Sequence, residues 1–147
     1  RSAKEAFLVF SLDNYASKFT EKETVKKHYF ADNGLLRIFL SDPDTALLEN
    51  ICAIDLYTRH EEDQVWFWNR NVEVDFFIPE EVLGVQACYS SSKDINTFER
   101  EVKALVELDK VHPLNRLVIV TFDEERTIKA YNGKDIEIIP VWKWLLR

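Results

Sequence analysis

Three places in this 147-residue chain put reactive side chains where a fold could gather them: Glu49, Asp75 and the pair Gln86-x-Cys88. Glu49 interrupts an apolar stretch over residues 46–57, in which only Glu49, Asn50 and Asp55 are polar. A helix that greasy is expected to lie buried against a sheet, so a carboxylate inside it asks for a reason. Asp75 lies in segment 72–78 and Gln86 and Cys88 in segment 82–89, both rich in β-branched and aromatic residues. Strand side chains alternate, so Gln86 and Cys88 share a face with Gly84. Asp75 should share one with Glu73 and Phe77, opposite Val74, Phe76 and Ile78. If the two strands pair, Asp75 and Gln86 face one cleft, and the helix can bring Glu49 to it. Two carboxylates in a cleft are hard oxygen ligands of the kind a divalent cation takes, and Gln86 adds a neutral carbonyl oxygen. Cys88, with an ordinary thiol pKa of about 8.5, is mostly uncharged at neutral pH. No histidine stands at a telling spacing from it, so it reads as a small core residue rather than a nucleophile. Plainer roles compete: Glu49 near the positive end of a helix dipole, Asp75 in an ion pair with Arg70 or a nearby lysine.

Around these residues the composition is that of one domain, with 46% apolar residues for a core and only three glycines and four prolines. The four tryptophans form two W-x-W pairs, Trp66/Trp68 and Trp142/Trp144, and read as packing residues. No apolar run approaches the roughly 20 residues that span a bilayer, and the opening Arg1-Ser2-Ala3-Lys4-Glu5 lacks a signal-peptide pattern. Cys52 and Cys88 have no CxxC partners and are expected to be reduced core thiols of a cytoplasmic protein. His28, His60 and His112 show no zinc-ligand spacing. A formal charge of −7 argues against a freestanding, non-specific DNA binder. No GxxxxGK[ST] loop is present, so these residues do not hydrolyse ATP by that route.

The elements that must position the candidates follow from pattern and punctuation. Segments 6–10 and 28–30 are strand candidates, the second closed by Asp32-Asn33-Gly34, and 35–40 is a short helix candidate. Asp42 as N-cap and Pro43 at the first helical position start a helix over 43–59. Segments 64–68 and 72–78 form a hairpin, 82–89 a third strand, and Ser90-Ser91-Ser92 breaks it. Residues 94–108 form an amphipathic helix with Ile95, Phe98, Val102 and Leu105 on its apolar face. The near-continuous apolar run 117–122 suits a buried parallel strand reached through that helix. Segments 127–131 and 136–139 flank the hairpin signal Asn132-Gly133, and Trp142–Leu146 closes the chain as a docking helix. The order is α-β-β-β-α-β with a C-terminal β-hairpin, an α/β (mixed α+β) chain.

An acid on the second strand with an acid and a lysine on the third resembles the PD-(D/E)xK nuclease superfamily, the restriction-endonuclease-like fold. There the residues bind Mg²⁺, which lowers the pKa of a bound water and steadies charge on the phosphate. The chain also resembles the C-terminal domain that follows the ATPase core in many bacterial and archaeal AAA-superfamily proteins. Five segments carry that likeness: Lys27-His28-Tyr29-Phe30-Ala31-Asp32-Asn33-Gly34-Leu35, Leu48-Glu49-Asn50-Ile51, Val72-Glu73-Val74-Asp75-Phe76, Val85-Gln86-Ala87-Cys88-Tyr89-Ser90, and Ile138-Ile139-Pro140-Val141-Trp142-Lys143-Trp144-Leu145-Leu146.

The resemblance implies an N-terminal module over 1–42 and a restriction-endonuclease-like domain over 43–147. Its site positions are Glu49, Asp75, Gln86 and Cys88, with Glu49 and Asp75 the metal ligands and Mg²⁺ the one cofactor implied. Cys88 stands where the family pattern has its lysine and Gln86 where the superfamily has its acid, with Lys93 as a candidate substitute. The expectation is therefore an inactive accessory domain that binds a nucleic acid or a protein and partners the ATPase domain of its own longer chain. An active Mg²⁺-dependent nuclease and a purely structural or oligomerising module are the alternatives.

Overall fold

The computed structural model describes residues 8–17, 25–34, 44–130 and 132–147. The expected strand start at Ala6, the helix at 35–40, the Ser41-Asp42-Pro43 cap and the strand end at Tyr131 lie outside them. Two sheets and three α-helices are described, a mixed α+β architecture. Strands β1 (Val9–Leu12) and β2 (Lys27–Phe30) form an antiparallel ribbon. Then come helix α1 (Asp44–Arg59), strands β3 (Trp66–Asn69), β4 (Glu73–Ile78) and β5 (Leu83–Ala87), and helix α2 (Ile95–Val111). Strands β6 (Arg116–Thr121), β7 (Arg126–Lys129) and β8 (Asp135–Pro140) and helix α3 (Val141–Leu146) complete the chain.

The main sheet has the order β3-β4-β5-β6-β8-β7. β3, β4 and β5 form an antiparallel meander, whereas β5, β6 and β8 run parallel and β7 returns antiparallel on β8. The C-terminal hairpin is therefore not an appendage: β8 slots between β6 and β7 as a full member of the sheet. The reason lies in its side chains, since Ile136 and Ile138 are fully buried and an isolated two-stranded hairpin would leave them in water. Gly133 makes the turn at a φ of 81°, where a Cβ would be strained.

Each face of the sheet is covered by one long helix. Leu48, Cys52, Ala53 and Leu56 of α1 pack on Phe76, Ile78, Val85, Ala87, Val118 and Val120. Ala104, Leu105 and Leu108 of α2 pack on Val74, Phe77, Cys88, Leu117 and Ile119. α2 starts where Asp94 accepts the Thr97 N–H (3.0 Å), and it runs three residues past the expected 108. Its buried stripe lies toward its C-terminal half, so Ile95 is exposed rather than core. Gly84 lets α2 approach closely, because a Cβ there would meet Leu105 and Leu114 at 3.0 Å. The β1–β2 ribbon shares the α1-side core through stacked rings of Phe10, Tyr29 and Tyr57. Among the described residues no helix is long and apolar enough to cross a membrane.

Candidate functional site

The β1–β2 ribbon brings a lysine to the two carboxylates. On β2, Lys27 and Tyr29 are one strand period apart and turn the same way, toward α1 and the start of β4. Asn50 fixes this placement: its side chain accepts from Phe30 N and donates to Phe30 O, both at 2.9 Å, as a neighbouring strand would. Glu49 is the residue before Asn50, so the same clamp sets Glu49 beside β2. The Lys27 Nζ lies 2.8 Å from Glu73 Oε1, 3.3 Å from Asp75 Oδ1 and 3.5 Å from Glu49 Oε1. The rings of Tyr29 and Phe67 lie 5.8 and 5.7 Å from it and exclude water from its other sides.

Asp75 reaches this cluster because β4 is bulged. Trp66 pairs with Phe77 but Trp68 with Val74, so β4 spends one extra residue opposite β3. Val74 and Phe77 therefore both pack on the α2 side, and Phe76 and Ile78 on the α1 side. The expected alternation, with Asp75 on the Phe77 face, fails at this bulge. The Asp75 carboxylate takes Lys27 on one oxygen and the Ala87 N–H (2.9 Å) on the other.

The remaining expected site residues do not join it. Gln86 leaves β5 on the α2 face, where its carboxamide fills the bulge. Its Oε1 accepts from Asp75 N (2.8 Å), and its Nε2 donates to Glu73 O (3.0 Å) and Glu101 O (3.4 Å). Gln86 is fully buried and braces the backbone that carries Asp75. Cys88 also faces α2, packs in the layer of Ala104 and Leu105, and donates its thiol to Ser90 O at 3.5 Å. Burial and the nearby Glu101 carboxylate push that thiol up to about 11. Lys93 is exposed on the loop before α2 and makes no ion pair with the cluster. The β5 side chains on the Asp75 side are the apolar Val85 and Ala87.

Electrostatically the cluster holds more acid than base. Burial and the Asp75 charge push Glu49 up to about 8, against the pull of Lys27. On the other flank of Asp75, Glu101 of α2 lines a hollow of about 350 Å³ with Asn71, Glu73, Asp75 and Arg100. Burial and Asp75 raise Glu101 to about 8 as well. Burial opposes the charge on Lys27, but Asp75, Glu49 and Glu73 outweigh it and hold the ammonium well above its usual range. Burial and Glu49 raise the Tyr29 hydroxyl, which points at the Glu49 carboxyl without closing a hydrogen bond of normal length. Near neutrality the cluster is a half-buried ammonium shared among carboxylates, with Glu49 and Glu101 biased toward their protonated forms.

This donor set does not suit Mg²⁺. The ion would have to displace the Lys27 ammonium from oxygens it already contacts, with the Gln86 carbonyl committed elsewhere. Among the described residues no three Asp, Glu, His or Cys side chains are arranged to hold a metal ion.

Lys27, Tyr29, Glu73 and Glu101 escaped the sequence reading of the site. The signal for the first two was present, since Lys27-x-Tyr29 places both on one strand face beside a polar Asn50. Nothing in the spacing of Glu101 ties it to Asp75, because their approach depends on how α2 crosses the sheet.

Neither a known protein family nor a solved structure matches the chain. It is similar to the uncharacterized protein MJ1544 of Methanocaldococcus jannaschii, with 32% identity over 156 aligned positions covering 97% of this chain. The chain spans 34% of the length of that relative, about a third.

Proposed function

We propose that the chain is a non-catalytic accessory domain of a longer prokaryotic protein, built on a restriction-endonuclease-like core and used for binding a protein. The observation that carries this reading is the position of Lys27, whose ammonium stands among the three carboxylates where a catalytic cation would act. The element order around the sheet, with the meander β3-β4-β5 and a helical crossover to parallel β6, supports the restriction-endonuclease-like core. The short span relative to MJ1544 supports a place in a longer chain. An AAA-superfamily ATPase core ahead of this domain, and a cytoplasmic setting with both buried cysteines reduced, complete the proposal.

The test is calorimetric titration of Mg²⁺ and Mn²⁺ into the chain, together with cleavage assays on single- and double-stranded DNA and RNA. No saturable metal binding at millimolar levels and no cleavage are expected. Grafting a lysine at Cys88 should not create activity, since that side chain enters the apolar layer under α2.

A second reading, a working nuclease, rests on one specific contact: Lys27 Nζ at 3.3 Å from Asp75 Oδ1 supplies a lysine that β5 lacks. Metal-dependent cleavage that is lost in both Lys27→Ala and Asp75→Asn would establish it and end the first reading.

A further inference from the structure

The β1–β2 ribbon has an edge that no described strand covers. Ala31 N donates to Leu8 O (2.9 Å), which places Leu8, Phe10 and Leu12 in the hydrogen-bonded pairs with β2. The N–H and C=O groups of Val9 and Ser11 therefore point the other way. The same outward edge is engaged at its far end, where Asp13 O accepts the Phe67 N–H at 3.2 Å. Toward Val9 it borders a groove of about 340 Å³ whose other wall is the C-terminal half of α1. The groove has an apolar floor of Phe10, Ile54 and Tyr57, with the Phe10 and Tyr57 rings stacked at 4.3 Å. Glu62 stands at its rim and also lines an adjoining hollow with Glu61 and Asp63. All three acids are exposed, and none has a cationic partner among the described residues. Lys26, the one base in that hollow, is paired with Asp13 at 3.1 Å.

An unpaired strand edge, an apolar floor and an acidic rim are complementary to one kind of occupant. We propose that the groove docks an extended, basic segment of a partner polypeptide. The segment adds as a strand to the outer edge of β1, sets an apolar side chain on Phe10 and Tyr57, and turns a lysine or arginine toward Glu61, Glu62 and Asp63. Main-chain hydrogen bonds provide the affinity and the alternating side chains the selectivity. A polyanion is disfavoured by the same acids. This deepens the reading of the chain as a binding domain, yet it uses a surface separate from the Lys27 cluster.

The experiment is NMR titration of the ¹⁵N-labelled 147-residue chain with the blocked pentapeptide Lys-Val-Lys-Val-Lys. Saturable shifts are expected at Val9, Ser11 and Tyr57, with Kd raised at least tenfold by the triple variant E61K/E62K/D63K. The triple variant changes only exposed side chains, so an unaltered thermal transition certifies its fold. Alternate N-methylation of the peptide should raise Kd as much, and a glutamate-for-lysine analogue should not bind. Equal binding of the N-methylated peptide, shifts confined to Glu49 and Asp75, or no saturation by about 5 equivalents at about millimolar protein, where even weak complexes form, would overturn the proposal. So would peptide-independent, concentration-dependent shifts at Val9 and Ser11, which mark a second copy as the occupant. Metal binding at Glu49 and Asp75 with intact peptide binding would defeat the reading of the cluster and leave the groove supported.

Discussion

Two regions of this molecule bury carboxylates at opposite ends of the parallel strands, and they resolve the cost in opposite ways. Ahead of β6, Asp109 is buried yet accepts from Leu114 N (2.8 Å), Asn132 Nδ2 (2.7 Å) and Lys134 Nζ (2.6 Å). Burial works against its charge, but the Leu114 N–H and the Lys134 ammonium outweigh it and hold the carboxyl below its usual range. At the far end of β5, Glu49, Glu73 and Asp75 share Lys27, Glu101 lies on the other flank of Asp75, and Glu49 and Glu101 are pushed up to about 8. One donor set saturates its acid and stitches the β7–β8 turn to α2. The other leaves acid in excess, a condition that structural stitching does not require. Excess charge of that kind is common where a site is kept for something other than stability.

The sharpest way to break this comparison is to remove the shared cation. Lys27→Met should destabilise the fold by about 3 kcal/mol at pH 8.5, the low end of the cost of stranding a buried charge, since Asp75 is buried but Glu49 is half-buried and Glu73 exposed. At pH 5 the loss should be visibly smaller, since Glu49 and Glu101 then carry protons and need less compensation. Urea unfolding at the two pH values reads the difference. Equal losses at both would mean that the carboxylates do not depend on Lys27.

Asp109→Ala comes next, at about 2–3 kcal/mol, because the buried Leu114 N–H loses its acceptor along with the Lys134 and Asn132 contacts. Here the pH dependence has the other sign. A carboxyl held below its unfolded value contributes stability above about pH 4, and that contribution is lost as the pH falls through the folded pKa. Unfolding curves between pH 2 and 7 should therefore flatten in the variant at their acid end.

Glu49→Gln should do the reverse. The folded pKa of about 8 lies above the unfolded value, so the contribution of Glu49 is complete below about pH 4 and is lost as the pH rises through 8. The amide removes that loss, so the variant should match the parent at pH 4 and exceed it at pH 9 by about 2 kcal/mol, roughly half of the full linkage because the Glu49 carboxyl is only half-buried and partly screened. A variant less stable than the parent at pH 9 would show that Glu49 is held ionised by Lys27 and that the cluster carries no excess acid.

Much of this frame was legible in the residues, and what was hidden has a common cause. The Asp42-Pro43 start and an apolar stretch marked α1, periodicity marked α2, a near-continuous apolar run marked β6, and Asn132-Gly133 announced its turn, because each depends on neighbours a few positions away. The bulge in β4 depends on pairing with β3, and it turned Asp75 away from the Phe77 face on which alternation had put it. That single inserted residue also gave Gln86 a backbone to brace instead of a cleft to line. Lys27 lay just ahead of the strand candidate 28–30 and stood out only as the first residue of a family-like segment, since its charge partners come from α1 and β4, 22 to 48 positions away. The insertion of β8 beside β6 was likewise a long-range choice, made by burial of Ile136 and Ile138.

The smallest effect expected is at Cys88, and it tests whether the α2 face of the sheet is sealed. Cys88 was expected at the lysine position of a nuclease site, and the structure puts it in an apolar layer on the face away from Lys27. With its thiol raised to about 11, only about one molecule in a thousand carries the reactive thiolate at pH 8. Iodoacetamide should therefore label the native chain far more slowly than the urea-unfolded chain, with the rate rising as the pH approaches 11. Cys88→Ala removes a single sulfur atom from the buried layer that also holds Ala104 and Leu105, so the stability change should stay within about 1 kcal/mol. Metal titration, peptide binding and the pH profile of the Lys27 cluster should be unchanged in that variant. Rapid native labelling at pH 7, or a loss above about 2 kcal/mol with an altered Glu49 titration, would couple the two faces through β5 and undo their separation.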